Sequence, residues 1–354
     1  VAPVAWQGCD LFSQVSAEET PPPAAIATTI PPATTEQVQL SVDRAIGYLQ
    51  AECGTWLKTK KCAACHHAPM PLWALGAAEQ SGYAIDKKFA DDTIESLLGG
   101  PEQLLASKIF PNPADPPDTR PSGRGLNMGL PMLAVAARSF PALTEGQQRS
   151  LQMVTEQILS KQQADGSWEF FDTLRRPPIN ETQTTDVAWI ILALAGETGA
   201  EAPEPQRASL TKAIAWLDGA KFTDIHQDRA LKVLLGVRLA RPRETWQATI
   251  DELLAMQRPD GGWSQTVPEP MSDAFATGET LYALALAGYT AEQPDIKRGI
   301  DFLVATQLPD GSWPMVSRST PNGEPGGAKL LTPITCGATS WATLALSRLV
   351  PRRK

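Results

Sequence analysis

The chain has 354 residues, of which 42% are hydrophobic and 20% are charged, a balance typical of a globular protein that buries a sizeable core. Its formal net charge of -8 gives no reason to expect nucleic acid or an anionic membrane surface as a partner. No apolar run reaches the roughly 20 residues that a membrane-spanning helix needs, so we expect no transmembrane segment.

The N-terminal segment differs in composition from the rest of the chain. Residues 1–36 include the proline-rich stretch TPPPAAIATTIPP and are predicted to form an extended arm or linker. The sequence starts at Val1 without a methionine, which fits a mature form after signal-peptide removal, and we therefore expect a periplasmic or extracellular protein. A Cys9–Cys53 disulfide would be reasonable in that oxidising compartment, but the sequence leaves the pairing open.

Residues 37–354 are predicted to form a single all-α domain built from helix pairs. The first pair consists of SVDRAIGYLQ and PLWALGAAEQSGY, which flank a cysteine-rich stretch. Further along, segments with apolar residues at helical spacing lead into three copies of a Gln-x-x-Asp-Gly-x-Trp sequence, and an alanine- and leucine-rich segment follows each copy. The copies are Gln162–Trp168, Gln257–Trp263 and Gln307–Trp313.

These Gln-x-x-Asp-Gly-x-Trp copies are predicted to be loops between helices. Glycine adopts the left-handed conformation that ends a helix, and the threonines or serines that follow can cap the next one. Gln257 and Gln307 are 50 residues apart, whereas Gln162 and Gln257 are 95 apart, which leaves room for one degenerate unit between them. With two further units upstream, the sequence predicts six helix pairs over about residues 38–350.

Repeats of this kind resemble those of the squalene–hopene cyclase and protein prenyltransferase β-subunit group. The resemblance covers nearly the whole chain beyond the arm. It implies an α6/α6 toroid, in which six inner helices surround a central cavity and six outer helices surround them. It does not imply an activity, because function depends on the site and not on the scaffold.

The catalytic residues of that group are not matched here. Class II terpene cyclases use an Asp-x-Asp-Asp motif, and the corresponding QTTD has Gln183 and Thr185 in place of the first and central acids, so only Asp186 remains. Protein prenyltransferases hold zinc with an Asp-x-Cys pair, but Phe275 stands at the cysteine position after Asp273. Both aspartates are therefore interpreted as helix N-cap or loop-ordering residues.

The stretch KKCAACHHAPM in the first unit carries Cys62-x-x-Cys65-His66-His67. Cys-x-x-Cys-His is the attachment sequence of c-type haem. Two thiols at this spacing reach the two vinyl groups at one porphyrin edge, and the next histidine then falls beneath the iron. The pattern predicts one covalent haem c, with Cys62 and Cys65 as thioether anchors and His66 as the proximal ligand.

Other interpretations of the same four side chains stay open. Zinc takes four ligands, and the two cysteines and two histidines supply that number, although adjacent histidines rarely converge on one tetrahedral ion. A redox dithiol expects a βαβ context, which is missing here. The combination of WLKT, Cys-x-x-Cys-His-His and LWAL over residues 56–75 resembles a secreted, cytochrome-like group of environmental bacteria, which favours haem and the cell envelope.

The second axial ligand of the iron is predicted to come from another loop at the same mouth of the toroid. His67 adjoins His66 and is expected to lie beside the haem without ligating it. Met128, at the start of the second inner helix, is preferred because the adjacent repeat reaches the haem without crossing the cavity. His226, which opens the fourth inner helix, is the alternative. The predicted metal ligands are therefore His66 and Met128.

Three functions are consistent with these sequence features. The leading hypothesis is a monohaem c-type cytochrome that passes electrons to a redox partner protein, within a larger envelope assembly. The second is a haem-dependent redox enzyme that acts on an apolar substrate in the toroid cavity. The third is a binding or scaffold module that holds zinc or no metal.

Overall fold

A computed structural model of the chain describes residues 30–60, 66–107, 109–110, 126–140, 142–169, 177–196, 203–221, 225–267, 271–318 and 334–352. The described residues form helices joined by loops, with no β-strand beyond isolated bridges. The predicted arm falls mostly outside these ranges, and the first helix begins at Thr35.

Six outer helices each bury one face and expose the other, as expected of amphipathic helices. They are α1 (Thr35–Lys60), α3 (Lys87–Leu98), α6 (Glu145–Ser160), α8 (Glu204–Gly219), α10 (Gln247–Ala255) and α12 (Pro294–Thr306). A short helix, α4 (Pro101–Ala106), follows α3.

Six inner helices are apolar on nearly all sides and are buried for that reason. They are α2 (Pro69–Gln80), α5 (Gly129–Ala137), α7 (Gln183–Ala195), α9 (His226–Arg238), α11 (Ala274–Leu286) and α13 (Thr335–Leu349). Each inner helix follows an outer helix, so all six run in the same direction. Their first residues meet at one end of the fold, the N-terminal mouth, and their last residues at the other, the C-terminal mouth.

The helices close into a ring. The inner helices pack side by side in the order α2, α5, α7, α9, α11 and α13, and α13 packs back against α2. In the outer layer α1 contacts α12, which joins the last unit to the first. The predicted α6/α6 toroid with six helix pairs is confirmed. Within the described ranges, no helix combines the length and the apolar character needed to cross a bilayer.

Aromatic side chains fill the axis of the ring. Trp189 of α7 and Trp341 of α13 come from opposite sides of it, yet their ring centroids are 5.9 Å apart. Trp73 of α2 lies 5.7 Å from Trp189 and 5.2 Å from Trp341. Tyr282 and Phe275 of α11 also pack against Trp341. Because all five rings are buried, the middle of the toroid is a packed core and not an open chamber.

Each Gln-x-x-Asp-Gly-x-Trp loop joins the outer and inner helices of one unit and also forms hydrogen bonds with the outer helix of the next unit. In each, the glutamine Nε2 donates to the carbonyl of the loop glycine and to a carbonyl of the next outer helix. In the last loop, Gln307 donates to Gly311 at 3.0 Å and to Ser41 of α1 at 2.8 Å, which ties the last unit to the first. Gly311 has a φ of 91°, and a Cβ there would overlap the carbonyl of Arg44, so glycine is required for this approach.

Candidate functional site

His66 and His67, the last two residues of the Cys-x-x-Cys-His-His stretch, lie at the N-terminal mouth, directly before α2. Cys62 and Cys65 fall outside the described residues, so the structure describes His66 and His67 of the predicted ligand set. Both imidazoles are buried. His67 stacks on Trp56 of α1, with ring centroids 3.7 Å apart and planes inclined by 11°. The two imidazoles are 4.3 Å apart and tilted by 52°, so they are neighbours and cannot face each other across a metal plane.

His66 lies beside the start of α13. Its Cβ is 3.8 Å from the position that a Cβ would take at Gly337. The same position would overlap the side chain of Ile179, in the loop before α7. Gly337 therefore lets the segments before α2 and α7 and the first turn of α13 approach one another closely at the mouth. His66 faces this inner junction, whereas His67 faces the outer helix α1.

The two predicted distal ligands occupy different parts of the ring. Met128 is buried directly before α5, and α5 packs against α2, the helix that follows His66. His226 is the first residue of α9, which packs against α7 and α11 and stands opposite α2 in the ring. The structure brings His66 and His67 together, places Met128 before the neighbouring inner helix, and places His226 on the opposite one.

His226 already has a defined hydrogen-bonding role. The Thr280 hydroxyl donates to the Ala276 carbonyl at 2.7 Å, so the His226 Nε2 must donate to that hydroxyl. Burial, assisted by the charge of Arg229, lowers the pKa of His226 to about 3, so the imidazole is neutral. Ligation through Nε2 would require this hydrogen bond to break.

A cluster of buried acids lies at the same mouth. Glu279 of α11 is buried, and its surroundings include Asp228, Asp273 and Glu181. Burial raises the pKa of Glu279 well above its ordinary value; the nearby Gln227 amide opposes this rise, and the three other acids add to it. The side chains of Glu279 and Gln227 make no hydrogen bond of normal geometry with a described residue.

Arg318 places one positive charge at this cluster. Its guanidinium forms an ion pair with Glu181, whose side chain is fully buried, and its Nε donates to the side-chain oxygen Oε1 of Gln265 at 3.1 Å. The backbone amide of Arg318 donates to the Pro177 carbonyl at 3.2 Å. These contacts join the loops before α7, α11 and α13, and so help to cover the mouth.

The two aspartates interpreted from sequence as cap or loop residues differ in the structure. Asp273 is the N-cap of α11, because its Oδ1 accepts hydrogen bonds from the amides of Phe275 and Ala276, both at 2.9 Å. Burial raises the pKa of Asp273 to about 6, although the hydrogen bonds from these two amides act to lower it. Asp186 is not the N-cap of α7. Thr182 takes that place, and Asp186 lies buried one turn into the helix.

In the described ranges, no group of three or more His, Cys, Asp or Glu side chains is arranged to hold a metal ion. The two cysteines of the motif lie outside those ranges, whereas Cys53 and Cys336 are buried free thiols. Cys9, the other half of the possible disulfide, also lies outside the described residues.

Comparison with known proteins agrees with the toroid. Residues 223–350 match the family described as Squalene-hopene cyclase C-terminal domain. A segment of 72 residues is 40% identical to lanosterol synthase of Candida albicans, but it covers 18% of this chain and 10% of that protein. The last part of the chain is therefore similar in sequence to cyclases of the squalene type.

Solved structures resemble nearly the whole chain in fold. A possible member of the GH105 family from Salmonella enterica has a TM-score of 0.59 at 12% identity, covering 90% of this chain and 94% of its own. A type II terpene cyclase from Scytonema, in complex with merosterolic acid A, has a TM-score of 0.54 at 15% identity, covering 89% and 98%. At these identities the likeness concerns the fold alone.

The acid cluster was not predicted from the sequence, although one signal was present. Glu279 interrupts the apolar segment TGETLYALALAG, and α11 is an inner helix that is buried on nearly all sides. A carboxylate in such a segment has no exposed face to occupy. Glu181 and Gln227 gave no comparable signal, because the loops that bury them are brought together only by the closed ring.

Proposed function

We propose that this protein is a monohaem c-type cytochrome whose haem is attached in the first joint of an α/α toroid. The observation that carries the proposal is the sequence Cys62-x-x-Cys65-His66, which supplies two thioether anchors and an axial imidazole in the required order. When bound, a haem of this type supplies reversible one-electron transfer at the iron.

The described residues around the motif are compatible with this assignment. His66 and His67 are adjacent in sequence but have different partners, because Trp56 holds His67 against α1. His66 is thereby the imidazole directed to the inner junction of the mouth. Cys62 and Cys65 would hold the porphyrin edge, and His66 would bind one face of the iron.

The position of His226 favours Met128 as the distal ligand. His226 donates its Nε2 proton to Thr280 and belongs to the inner helix opposite α2. Met128 precedes the inner helix next to α2 and has a soft thioether that ligates haem iron well. We therefore propose methionine–histidine ligation by Met128 and His66, with His67 as a neighbour of the haem.

The packed axis favours electron transfer over the alternative of a haem enzyme with an apolar substrate in the cavity. The five buried aromatic rings occupy the space that such a substrate would need. A redox partner protein, an envelope assembly, and a periplasmic or extracellular location remain part of the proposal and rest on the sequence alone.

Covalent attachment is tested by expression in a host with c-type cytochrome maturation. The purified protein should keep its Soret band after denaturation in acid acetone, because thioether bonds survive unfolding. The double variant Cys62→Ala, Cys65→Ala should lose the band completely. The matched control is Cys53→Ala, Cys336→Ala, which removes two buried thiols outside the motif and should retain the haem. Colourless wild-type protein with one bound zinc ion per chain would refute the proposal.

Distal ligation is tested separately by optical spectroscopy of the oxidised protein. Methionine ligation gives a weak charge-transfer band near the red end of the spectrum. Met128→Ala should remove this band and allow carbon monoxide to bind the reduced iron, whereas His226→Gln should leave both properties unchanged. A band that survives in Met128→Ala and disappears in His226→Gln would assign the distal ligand to His226.

A further inference from the structure

Glu279 is a buried carboxyl group that the haem assignment does not use, although it lies at the N-terminal mouth, as His66 does. It stands in the second turn of α11 and is 1% exposed. Its two oxygens make no hydrogen bond of normal geometry with a described residue. Burial raises the pKa of Glu279 well above its ordinary value, because a desolvated carboxylate is costly. The charge of Glu279 therefore depends on the electric field of the groups around it.

A short chain of contacts connects Glu279 to His66. A Cβ at Gly337 would lie 3.8 Å from the Cβ of His66 and 3.6 Å from the Cε2 of Phe275. Phe275 and Glu279 are four residues apart in α11, so their side chains lie on the same face of the helix, one turn apart. Phe275, Gly337 and His66 are all buried, so solvent screens a charge at His66 from Glu279 only weakly.

The groups around Glu279 leave it as the acid without a donor. The charged and titratable side chains of this cluster come from α9 and from the loops before α7, α11 and α13; they are Asp228, the neutral His226, Glu181, Asp273 and Arg318. Asp228 accepts from the Thr182 hydroxyl at 3.2 Å, and Glu181 is paired with Arg318. Asp273 accepts from two backbone amides of α11. Glu279 has no such donor among the described residues.

Other charged groups on the helices that pack against α11 have partners of their own. They form ion pairs on α12 and between α9 and α10: Arg298 with Asp295, Lys297 with Asp301, and Arg229 with Glu252. Cys336 of α13 lies near Cys53 of α1. The charge of Glu279 is therefore governed by the acid cluster and by what happens at His66.

We propose that Glu279 takes up a proton when the haem iron bound by His66 is reduced, so that electron and proton transfer are coupled at this mouth. This inference rests on the proposed function. In the coupled step, one electron from a one-electron donor protein converts ferric iron to ferrous iron. Glu279 gains one proton from water and changes from a carboxylate to a carboxylic acid. On reoxidation the electron and the proton both leave.

The physical reason is the charge that the electron adds. A further negative charge near a buried carboxyl group favours the protonated form of that group. Coupling between two binding equilibria is reciprocal, so protonation of Glu279 favours reduction by the same factor. The acids of the described ranges are not arranged to hold a metal ion. A proton requires neither that geometry nor a cavity, so it is the cation that this cluster can accept.

Redox potentiometry of the haem-loaded, full-length protein between about pH 5 and about pH 9 tests the coupling. Haem propionates also titrate, so the quantity to compare is the potential of the wild type against that of Glu279→Gln. The two potentials should agree at the acidic end, where both side chains are neutral. At the alkaline end the potential of the wild type should be lower by about 59 mV, which corresponds to a tenfold coupling in a one-electron equilibrium.

The matched control is Glu169→Gln. Glu169 is exposed at the same mouth, and its backbone carbonyl accepts from the amide of Leu126, two residues before Met128. Because solvent screens its charge, the redox equilibrium constant of this variant should stay within about twofold of the wild type at every pH.

Infrared difference spectroscopy between the oxidised and reduced protein gives a second measurement. A carboxylic acid C=O band should appear on reduction of the wild type and of Glu169→Gln, and should be missing in Glu279→Gln. The same pH dependence of the potential in the wild type and Glu279→Gln would overturn this inference alone, as would a wild type without the infrared band. Protein without covalent haem would overturn the proposed function and this inference together.

Discussion

Replacing Trp263 with alanine should lower the free energy of unfolding by about 3–5 kcal/mol, the range for truncating a large buried aromatic side chain. Trp263 is fully buried, and its Nε1 donates to the Leu253 carbonyl at 2.6 Å. Its ring lies against Gly299 of α12, where a Cβ would come within 2.9 Å of it. The truncation would therefore open a cavity between α10 and α12 and leave a helix-end carbonyl without its donor.

Urea denaturation followed by circular dichroism measures this effect. Leu308→Ala is the control, because Leu308 belongs to a loop of the same type but is 42% exposed, and its truncation should cost less than about 1 kcal/mol. The haem content of the folded fraction of Trp263→Ala should be unchanged. A loss of haem at full helicity would show that this loop acts on the haem site and not only on stability.

Replacing Glu279 with glutamine should stabilise the protein at neutral and alkaline pH. Because burial raises the pKa of Glu279, the folded state keeps a proton that the unfolded state releases once the pH exceeds the ordinary value of a glutamic acid. Each pH unit between the two pKa values then lowers the stability of the wild type by about 1.4 kcal/mol. The contribution of protonated Glu279 to the free energy of unfolding is therefore fully present at low pH and is lost as the pH rises. Glutamine has no proton to release in this pH range, so the variant does not lose this contribution.

Three other acids face Glu279. Asp273, whose pKa is raised to about 6, also makes the folded state less stable as the pH rises, but over a lower and narrower pH range than Glu279. Asp228 also faces the cluster, as does Glu181, which is paired with Arg318. Unfolding measured between about pH 5 and about pH 8 should show a smaller decline for Glu279→Gln than for the wild type. Glu102→Gln, an exposed position in α4, should follow the wild type. Parallel declines of all three proteins would show that Glu279 is ionised in the folded state.

Local features of the sequence predicted the helix pairs, the loops and one cap. Apolar residues at helical spacing identified the outer helices, and the alanine- and leucine-rich segments identified the inner ones, because a helix that is apolar on all sides must be buried. Asp-Gly marked the loops, since the left-handed conformation of glycine ends a helix, and Asp273 was interpreted correctly as a cap. Each of these properties depends on residues within a few positions of one another.

The closed ring decided the remaining features. Trp189 and Trp341 are 152 positions apart in the sequence and meet only because α7 and α13 face each other across the axis. His66 and Phe275 both approach Gly337 because α13 packs between α2 and α11. The pKa of Glu279 is raised because loops from separate units exclude water from it. The sequence alone determined the local helical structure and the haem-attachment pattern, whereas desolvation and the meeting of distant side chains depend on tertiary packing.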